Sequence, residues 1–125
     1  MATTLTTDRM KAIVRQHFED FVNNKKAEVI RSNMTLDFYD HDGPGGRPTD
    51  VAGDEQMMRA MHSAMPDLRV SIEDMIADAD KVVCRNRWNR TKAQTGKQVE
   101  FDGFVERRLE GDKIAERWAT VTSPA

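Results

Sequence analysis

A histidine flanked by two aspartates is the most suggestive group for chemistry in this chain. Asp40, His41 and Asp42 stand where a strand-like alternation ends and a loop rich in glycine and proline begins. A carboxylate beside a histidine can orient the ring for proton transfer. An apolar cavity would raise the pKa of Asp40 toward neutrality, which suits a general base. His41 and Asp40 are therefore candidate catalytic residues. The alternatives are a loop histidine that caps backbone groups and a solvated carboxylate.

Further side chains are candidates for lining a ligand pocket. His62 is expected beside Met58 on a methionine-rich helix, and the alternative is a histidine at the core edge with one hydrogen bond. Trp88 and Trp118 are predicted to lie near each other in a sheet, where their rings would suit a flat apolar ligand. Packing in the core or at a dimer interface is the alternative. No spacing typical of a metal site or nucleotide loop is present, so we expect no metal and no cofactor.

The first part of the chain predicts the helices that would position these groups. Apolar residues at spacings of three and four indicate a helix over residues 8–23, which the threonines just before it can cap. Residues 27–30 indicate a short second helix. Residues 54–65 indicate a third, which Pro66 ends.

Strand patterns dominate the rest of the chain. In a short predicted strand over residues 34–41, Leu36, Phe38 and Asp40 fall on one face. Four runs between residues 68 and 121, separated by short turns rich in Gly and Asp, predict an antiparallel meander covered by the first helix. The expected fold class is α+β: a cone-shaped, curved antiparallel sheet wrapped around N-terminal helices, with a cavity open at one end.

Composition limits the class of protein. The 125 residues suit a single domain over residues 1–125, with 32% charged residues and a net charge of -2. There is no basic run typical of a nucleic-acid surface, and no apolar stretch approaches the roughly 20 residues of a membrane span. The N-terminus lacks the pattern of a signal peptide, and the one cysteine, Cys84, cannot form an internal disulfide. We expect a cytoplasmic protein that binds neither nucleic acid nor membrane.

Five segments, by their order and spacing, carry a family resemblance. They are residues 40–42, 65–70, 80–85, 99–101 and 108–118. The chain resembles the SnoaL-like polyketide cyclases and ester cyclases of the nuclear-transport-factor-like (ketosteroid isomerase-like) superfamily. The resemblance covers nearly the whole chain and implies the cone fold with a cavity for a small apolar or aromatic molecule. It also implies a homodimer formed through the sheet, with Trp88 or Phe104 near the interface.

The chain departs from its relatives at several positions. In ketosteroid isomerase a phenol and a protonated carboxyl form the oxyanion hole, and by alignment these positions fall at Phe18 and Val105 here. Phe18 would then line the cavity as an apolar residue. Many SnoaL-like sequences have aspartate after the late tryptophan, where this chain has Ala119, and Gly-Thr-His where it has residues 90–92.

The resemblance implies two classes of function. One is a cofactor-free isomerase, cyclase or lyase acting on an apolar or aromatic carbonyl compound. Asp40 or His41 would move the proton, and Tyr39 or an arginine would hold the oxyanion. The other is a non-catalytic binding or interaction module of the same fold, which the missing groups favour. Alternation puts Tyr39 and His41 on one strand face and Asp40 and Asp42 on the other. The resemblance selects the Tyr39 and His41 face as the one that lines the cavity.

Overall fold

The computed structural model describes residues 6–92 and 94–122. The helices are α1 (Thr7–Phe18), α2 (Ile30–Asn33) and α3 (Val51–Ala64), with a π-helical turn at Glu19–Asn23 and 3-10 turns at Ala27–Val29 and Pro44–Gly46. The strands are β1 (Met34–Asp40), β2 (Arg69–Asp78), β3 (Lys81–Thr91), β4 (Gln98–Glu110) and β5 (Lys113–Thr122). None of the helices in these two ranges is long and apolar enough to cross a membrane.

Helix α1 and the π-helical turn form one continuous helical segment. The Thr6 side chain caps it by accepting a hydrogen bond from a first-turn N–H at 3.1 Å. Met10, Val14 and Phe18 are buried along one side, as their spacing of three and four residues requires. The predicted helix over residues 8–23 is confirmed, with its last turn wound as a π-helix.

The five strands form one sheet in the order β1-β5-β4-β3-β2. Strands β2 to β5 pair as antiparallel neighbours, so the predicted meander is confirmed. Strand β1 pairs in parallel with β5, which makes the sheet mixed rather than antiparallel throughout. Parallel neighbours need a long connection, and α3 together with the first three strands of the meander supplies it.

Strand β1 does not alternate as predicted. Its pairing with β5 shifts register between Met34 and Tyr39. Leu36 is fully exposed, whereas Phe38 and Asp40 are buried. The prediction that Leu36 shares their face is wrong, because extra residues in β1 interrupt the alternation of side chains.

Helix α3 begins earlier than predicted, at Val51. Asp50 caps it by accepting a hydrogen bond from the Gly53 N–H at 3.0 Å. A side chain at Gly53 would collide with Thr49, whose hydroxyl oxygen lies 1.8 Å from the position of an added Cβ. This close approach seats the first turn of α3 against the preceding loop, and Asp54 in that turn is buried.

The helices cover one face of the sheet, here called the inner face, and the opposite side is the outer face. Val82, Cys84 and Trp88 of β3 are buried on the inner face, and Phe18 meets the Trp88 ring edge-on at 6.4 Å. Trp118 lies on the outer face, so the predicted proximity of the two tryptophans is wrong: strand alternation directs them to opposite sides. Because Trp88 is buried under the helices, it is not available to a dimer interface.

Candidate active site

A cavity of about 190 Å³ lies between the helices and the inner face of the sheet. The apolar part of its wall consists of Phe18, Phe21, Val22, Ile30, Met34, Met57, Met58, Met61, Trp88 and Phe101. Its polar groups are His17, Asp42, Asp54, Arg107 and Arg117. A mostly apolar pocket with a few polar groups is the usual form of a small-molecule site.

Asp40 is fully buried against two of these polar groups. Its two carboxylate oxygens accept hydrogen bonds from Nη1 of Arg117 at 3.0 and 3.1 Å, and Oδ1 also accepts from the Asp42 N–H at 2.9 Å. Burial alone raises the pKa of Asp40, but the hydrogen bond from Asp54, the charge of Arg117 and the Asp42 N–H outweigh it, and the pKa is lowered. The expectation of a raised pKa at Asp40 is therefore wrong, and Asp40 is ionised.

Asp54 is the carboxyl group whose pKa rises. It reaches the cavity from the first turn of α3 and is 3% exposed. Burial, the hydrogen bond with Asp40 and the negative charge of Asp40 raise the pKa of Asp54 to about 8. At neutral pH the two carboxyl groups therefore share a single proton. Asp54 carries it, and its Oδ1 atom has no hydrogen-bond partner within the described ranges.

His17 is a neutral imidazole on the cavity wall. Nδ2 of Asn33 donates a hydrogen bond to Nδ1 of His17 at 3.1 Å, which leaves the ring proton on Nε2. Burial lowers the pKa of His17 well below its ordinary value, and the charges of Arg107 and Arg117 lower it further. The ring stacks on Phe21 with centroids 4.9 Å apart. His17 can thus donate a hydrogen bond without bringing a charge.

Arg107 is a buried cation. It is 4% exposed, and its guanidinium carbon lies 4.3 Å from the centre of the Phe18 ring. Its Nε and Nη1 atoms are buried and have no hydrogen-bond partner in the part of the chain that the structure describes. Burial, followed by the charge of Arg117, lowers the pKa of Arg107 to about 10, so the side chain is still protonated at neutral pH.

Asp42 is held beside the cavity by two residues of β5. Its Oδ2 atom accepts a hydrogen bond from the Ala119 N–H at 2.8 Å, and its carbonyl oxygen accepts one from Nη1 of Arg117 at 3.2 Å. Asp42, which lines the cavity, therefore supplies a carboxylate beside Ala119 from the loop that follows β1.

The predicted ligand-binding residues fall into two separate groups. Phe18, Met58 and Trp88 line the cavity, and their contact with a ligand stays a prediction. His62 does not line it. Nε2 of His62 lies 2.9 Å from the carbonyl oxygen of Val22 and donates to it, which ties α3 to the π-helical turn. His62 therefore matches the alternative given in the sequence analysis, a histidine at the edge of the core that makes one hydrogen bond.

Tyr39, His41 and Trp118 lie together on the outer face. Nε2 of His41 is 2.7 Å from Oε2 of Glu116, the His41 ring stacks on Trp118 at 4.7 Å, and Tyr39 meets His41 edge-on at 4.6 Å. The selection of the Tyr39 and His41 face as the cavity face is wrong. Because Asp40 is directed inward, alternation sends the residues on either side of it outward.

The sequence reasoning missed Asp54, His17 and Arg107 as cavity groups. Asp54 precedes two cavity methionines by three and four residues, His17 lies on the apolar side of α1, and Arg107 alternates with buried apolar residues of β4. The signal that could have found them is a polar residue in phase with an apolar face.

Comparisons with known proteins agree with this architecture. A family model for SnoaL-like polyketide cyclases matches residues 12–122. A protein of Acidithiobacillus ferrooxidans is 24% identical over 90% of this chain and 87% of its own, with a TM-score of 0.79. IdmH of Streptomyces antibioticus is 21% identical over 89% of this chain and 90% of its own, with a TM-score of 0.81. A SnoaL-like polyketide cyclase of Agrobacterium tumefaciens is 21% identical over 94% and 92%, with a TM-score of 0.76.

No curated protein sequence matches the chain. The solved structures, at these low identities, establish the fold alone: a curved sheet with N-terminal helices on one face. The family model, however, spans nearly all of the described residues. The chain therefore belongs to the SnoaL-like polyketide cyclase family.

Proposed function

We propose that the protein is a cofactor-free acid/base enzyme of the cyclase or isomerase type, acting on a small apolar or aromatic carbonyl compound. The observation that carries this proposal is the buried pair of Asp40 and Asp54 at the polar end of an apolar cavity, where burial and the contact with Asp40 raise the pKa of Asp54 to about 8. A buried carboxylic acid whose pKa lies near neutrality is suited to proton transfer at physiological pH. Membership of the family supports a small-molecule ligand.

Each of the three aspartates has its own role in this proposal. Asp54 donates its proton to the oxygen of the substrate as the enol forms, because it lines the cavity and is protonated at neutral pH. Asp40 is a positioning residue whose charge keeps the proton on Asp54. Asp42 lines the same cavity and is exposed, so it is the base that takes a proton from the carbon next to the carbonyl group. The proton that Asp42 gains equals the one that Asp54 loses, and exchange with water restores both.

The enolate oxygen formed in this reaction needs donors nearby. Tyr39, one candidate from the sequence, lies on the outer face, and the role passes to Arg117 and His17 on the cavity wall. A fixed cation and a neutral N–H donor directed at a site of developing charge lower the barrier to proton removal.

The test is the exchange of α-protons for deuterium, followed by proton NMR in heavy water. The probes are 1-tetralone, 2-acetonaphthone and 3-benzoylpropionate. We expect the wild-type protein to accelerate exchange, and Asp54→Asn to reduce the rate by about 100-fold or more. The amide can keep the hydrogen bond to Asp40 but has no proton to give. Asp37→Asn, an exposed carboxyl on β1, is the matched control and keeps the wild-type rate. Wild-type exchange rates in Asp54→Asn would contradict the proposal.

A non-catalytic ligand-binding module is the second candidate, and three residues favour it. Phe18 and Val105 are buried apolar residues at positions where ketosteroid isomerase has a phenol and a carboxyl, and Ala119 replaces a family aspartate. Ligand binding by the wild-type protein without any proton exchange would support this candidate over the enzyme.

The outer face of the sheet is the proposed surface of a homodimer. Ile76 and Phe104 are large apolar residues on it, exposed by 64% and 54%, and Tyr39 is exposed by 45%. Covering such residues favours association. Light scattering at micromolar concentration is expected to give the mass of two chains, and Phe104→Ser is expected to shift that mass toward one chain. A wild-type mass of one chain would contradict the proposal.

A further inference from the structure

One cation at the polar end of the cavity, Arg107, has no ion-pair partner among the described residues. Arg117 is paired with Asp40, Asp54 carries a proton, and His17 is neutral. Arg107 has no such partner within residues 6–92 and 94–122, and the largest effect of another charge on it is repulsion from Arg117.

Asp42 does not neutralise Arg107, although both line the cavity. The Asp42 carboxylate accepts the Ala119 N–H at 2.8 Å and is exposed toward water. The largest attractions that raise the pKa of Arg107 come from Cys84, Asp40 and Asp54 rather than from Asp42.

A buried guanidinium whose N–H donors have no acceptor is unfavourable for folding. The strand does not require a cation here, because Val105 and Leu109, two residues before and after Arg107, are buried apolar side chains on the same face. The guanidinium lies against Phe18 on the cavity wall with Nε and Nη1 unpartnered. Its position is explained if the missing acceptor is supplied by the ligand.

We propose that Arg107 anchors a permanent negative charge on the ligand, and that the substrate is an apolar or aromatic compound that carries a carboxylate. Arginine binds carboxylates through charge-assisted hydrogen bonds. The flat body of such a ligand would lie against the aromatic wall, where Trp88 and Phe101 are parallel within 2° at 6.0 Å. This inference rests on the proposed function, because it takes the same cavity as the substrate site. It adds that the substrate carries a carboxylate group.

Binding of a matched pair of probes tests the inference. Sodium 2-naphthoate and 2-naphthamide have the same shape and differ in charge. Binding is measured by calorimetry at pH 7 and by tryptophan fluorescence. We expect the wild-type protein to bind the carboxylate at least about tenfold more tightly than the amide. Equal affinities, or no binding of 2-naphthoate at millimolar concentration, would overturn the inference without any variant being needed.

The variant Arg107→Met then assigns the preference to one side chain. It removes the charge, keeps most of the length, and is expected to bind both probes equally. Arg85→Met, an exposed arginine of β3, is the matched control and keeps the preference. Retention of the preference in a folded Arg107→Met protein would also overturn the inference. Asp54→Asn is expected to lose proton exchange but to keep the preference, so failure of the proposed function and failure of this inference give different results.

Discussion

Strands β1 and β5 carry one acid–base pair on each face of the sheet, built from neighbouring residues. On the inner face Asp40 and Arg117 approach to 3.0 Å, with side chains exposed by 0% and 16%. One residue away from each of these, His41, just past the end of β1, and Glu116 of β5 approach to 2.7 Å on the outer face, with side chains exposed by 33% and 23%. The distances are similar, so the difference between the two pairs lies in their access to water.

That difference decides what each pair does to its surroundings. The inner pair acts in a region of low dielectric constant, where the charge of Asp40 helps to raise the pKa of Asp54 to about 8. On the outer face the pKa of Glu116 is lowered by hydrogen bonds from Arg108 and His41. The outer group is a cross-strand network of the kind that stabilises a sheet, whereas the inner group sets a protonation state inside a cavity.

The largest expected difference between the two faces concerns stability. Arg117→Met removes the counter-charge of a fully buried carboxylate and is expected to lower the free energy of unfolding by about 3–5 kcal/mol at pH 7. The matched control on the outer face is Arg108→Met, which removes the partner of Glu116 and is expected to cost less than about 1 kcal/mol. Urea denaturation measures both. Equal losses would show that burial does not distinguish the carboxylate of Asp40 from that of Glu116.

The next effect is a dependence of stability on pH. Asp54 has a pKa of about 8 in the folded protein and an ordinary value of 3.8, so between these values the folded state holds a proton that the unfolded state has lost. The free energy of unfolding therefore falls as pH rises through this window, by at most about 1.4 kcal/mol per pH unit. Asp40, whose pKa is lowered, acts in the opposite direction and removes stability only as the pH falls below its ordinary value.

Asp54→Asn is expected to flatten this dependence, because the amide has no proton to retain. Its stability relative to the wild-type protein should increase from about pH 4.5 to pH 8. Urea denaturation across this range provides the measurement, and Asp37→Asn should follow the wild-type slope. Parallel curves for Asp54→Asn and the wild-type protein would show that Asp54 is ionised in the folded state.

The smallest effect is expected at the histidine that the sequence singled out. His41→Ala removes a 2.7 Å contact with Glu116 and a ring stacked on Trp118, a loss of about 1 kcal/mol. Proton exchange and the affinity for 2-naphthoate are expected to stay at wild-type values, because His41 lies on the face away from the cavity. A tenfold fall in the exchange rate or in the affinity for 2-naphthoate, with the fold intact, would show that His41 takes part in the site.

Only some of the cavity residues could be predicted from the sequence. Helical spacing identified the apolar side of α3, and Met58 lies on the cavity wall. The sequence pattern puts Asp54, at the same spacing, at the start of the predicted helix, because the pattern does not reveal the cap at Asp50. A shift of one turn in the start of a helix moves a carboxyl group from a surface loop to the interior, and local preferences leave that boundary open.

Local patterns by themselves determined the meander of β2 to β5, the helical segment over residues 8–23 and the family resemblance, because turns and side-chain periods depend on residues close in the chain. Only the tertiary structure decided which face of β1 is inside. That choice depends on the parallel pairing of β1 with β5, a contact between segments far apart in sequence. If the other face of β1 were inside, His41 would be directed toward the cavity in place of Asp40. The pKa values of Asp40 and Asp54 also depend on which face of β1 is inside, because they are set by burial and by charges that folding brings together.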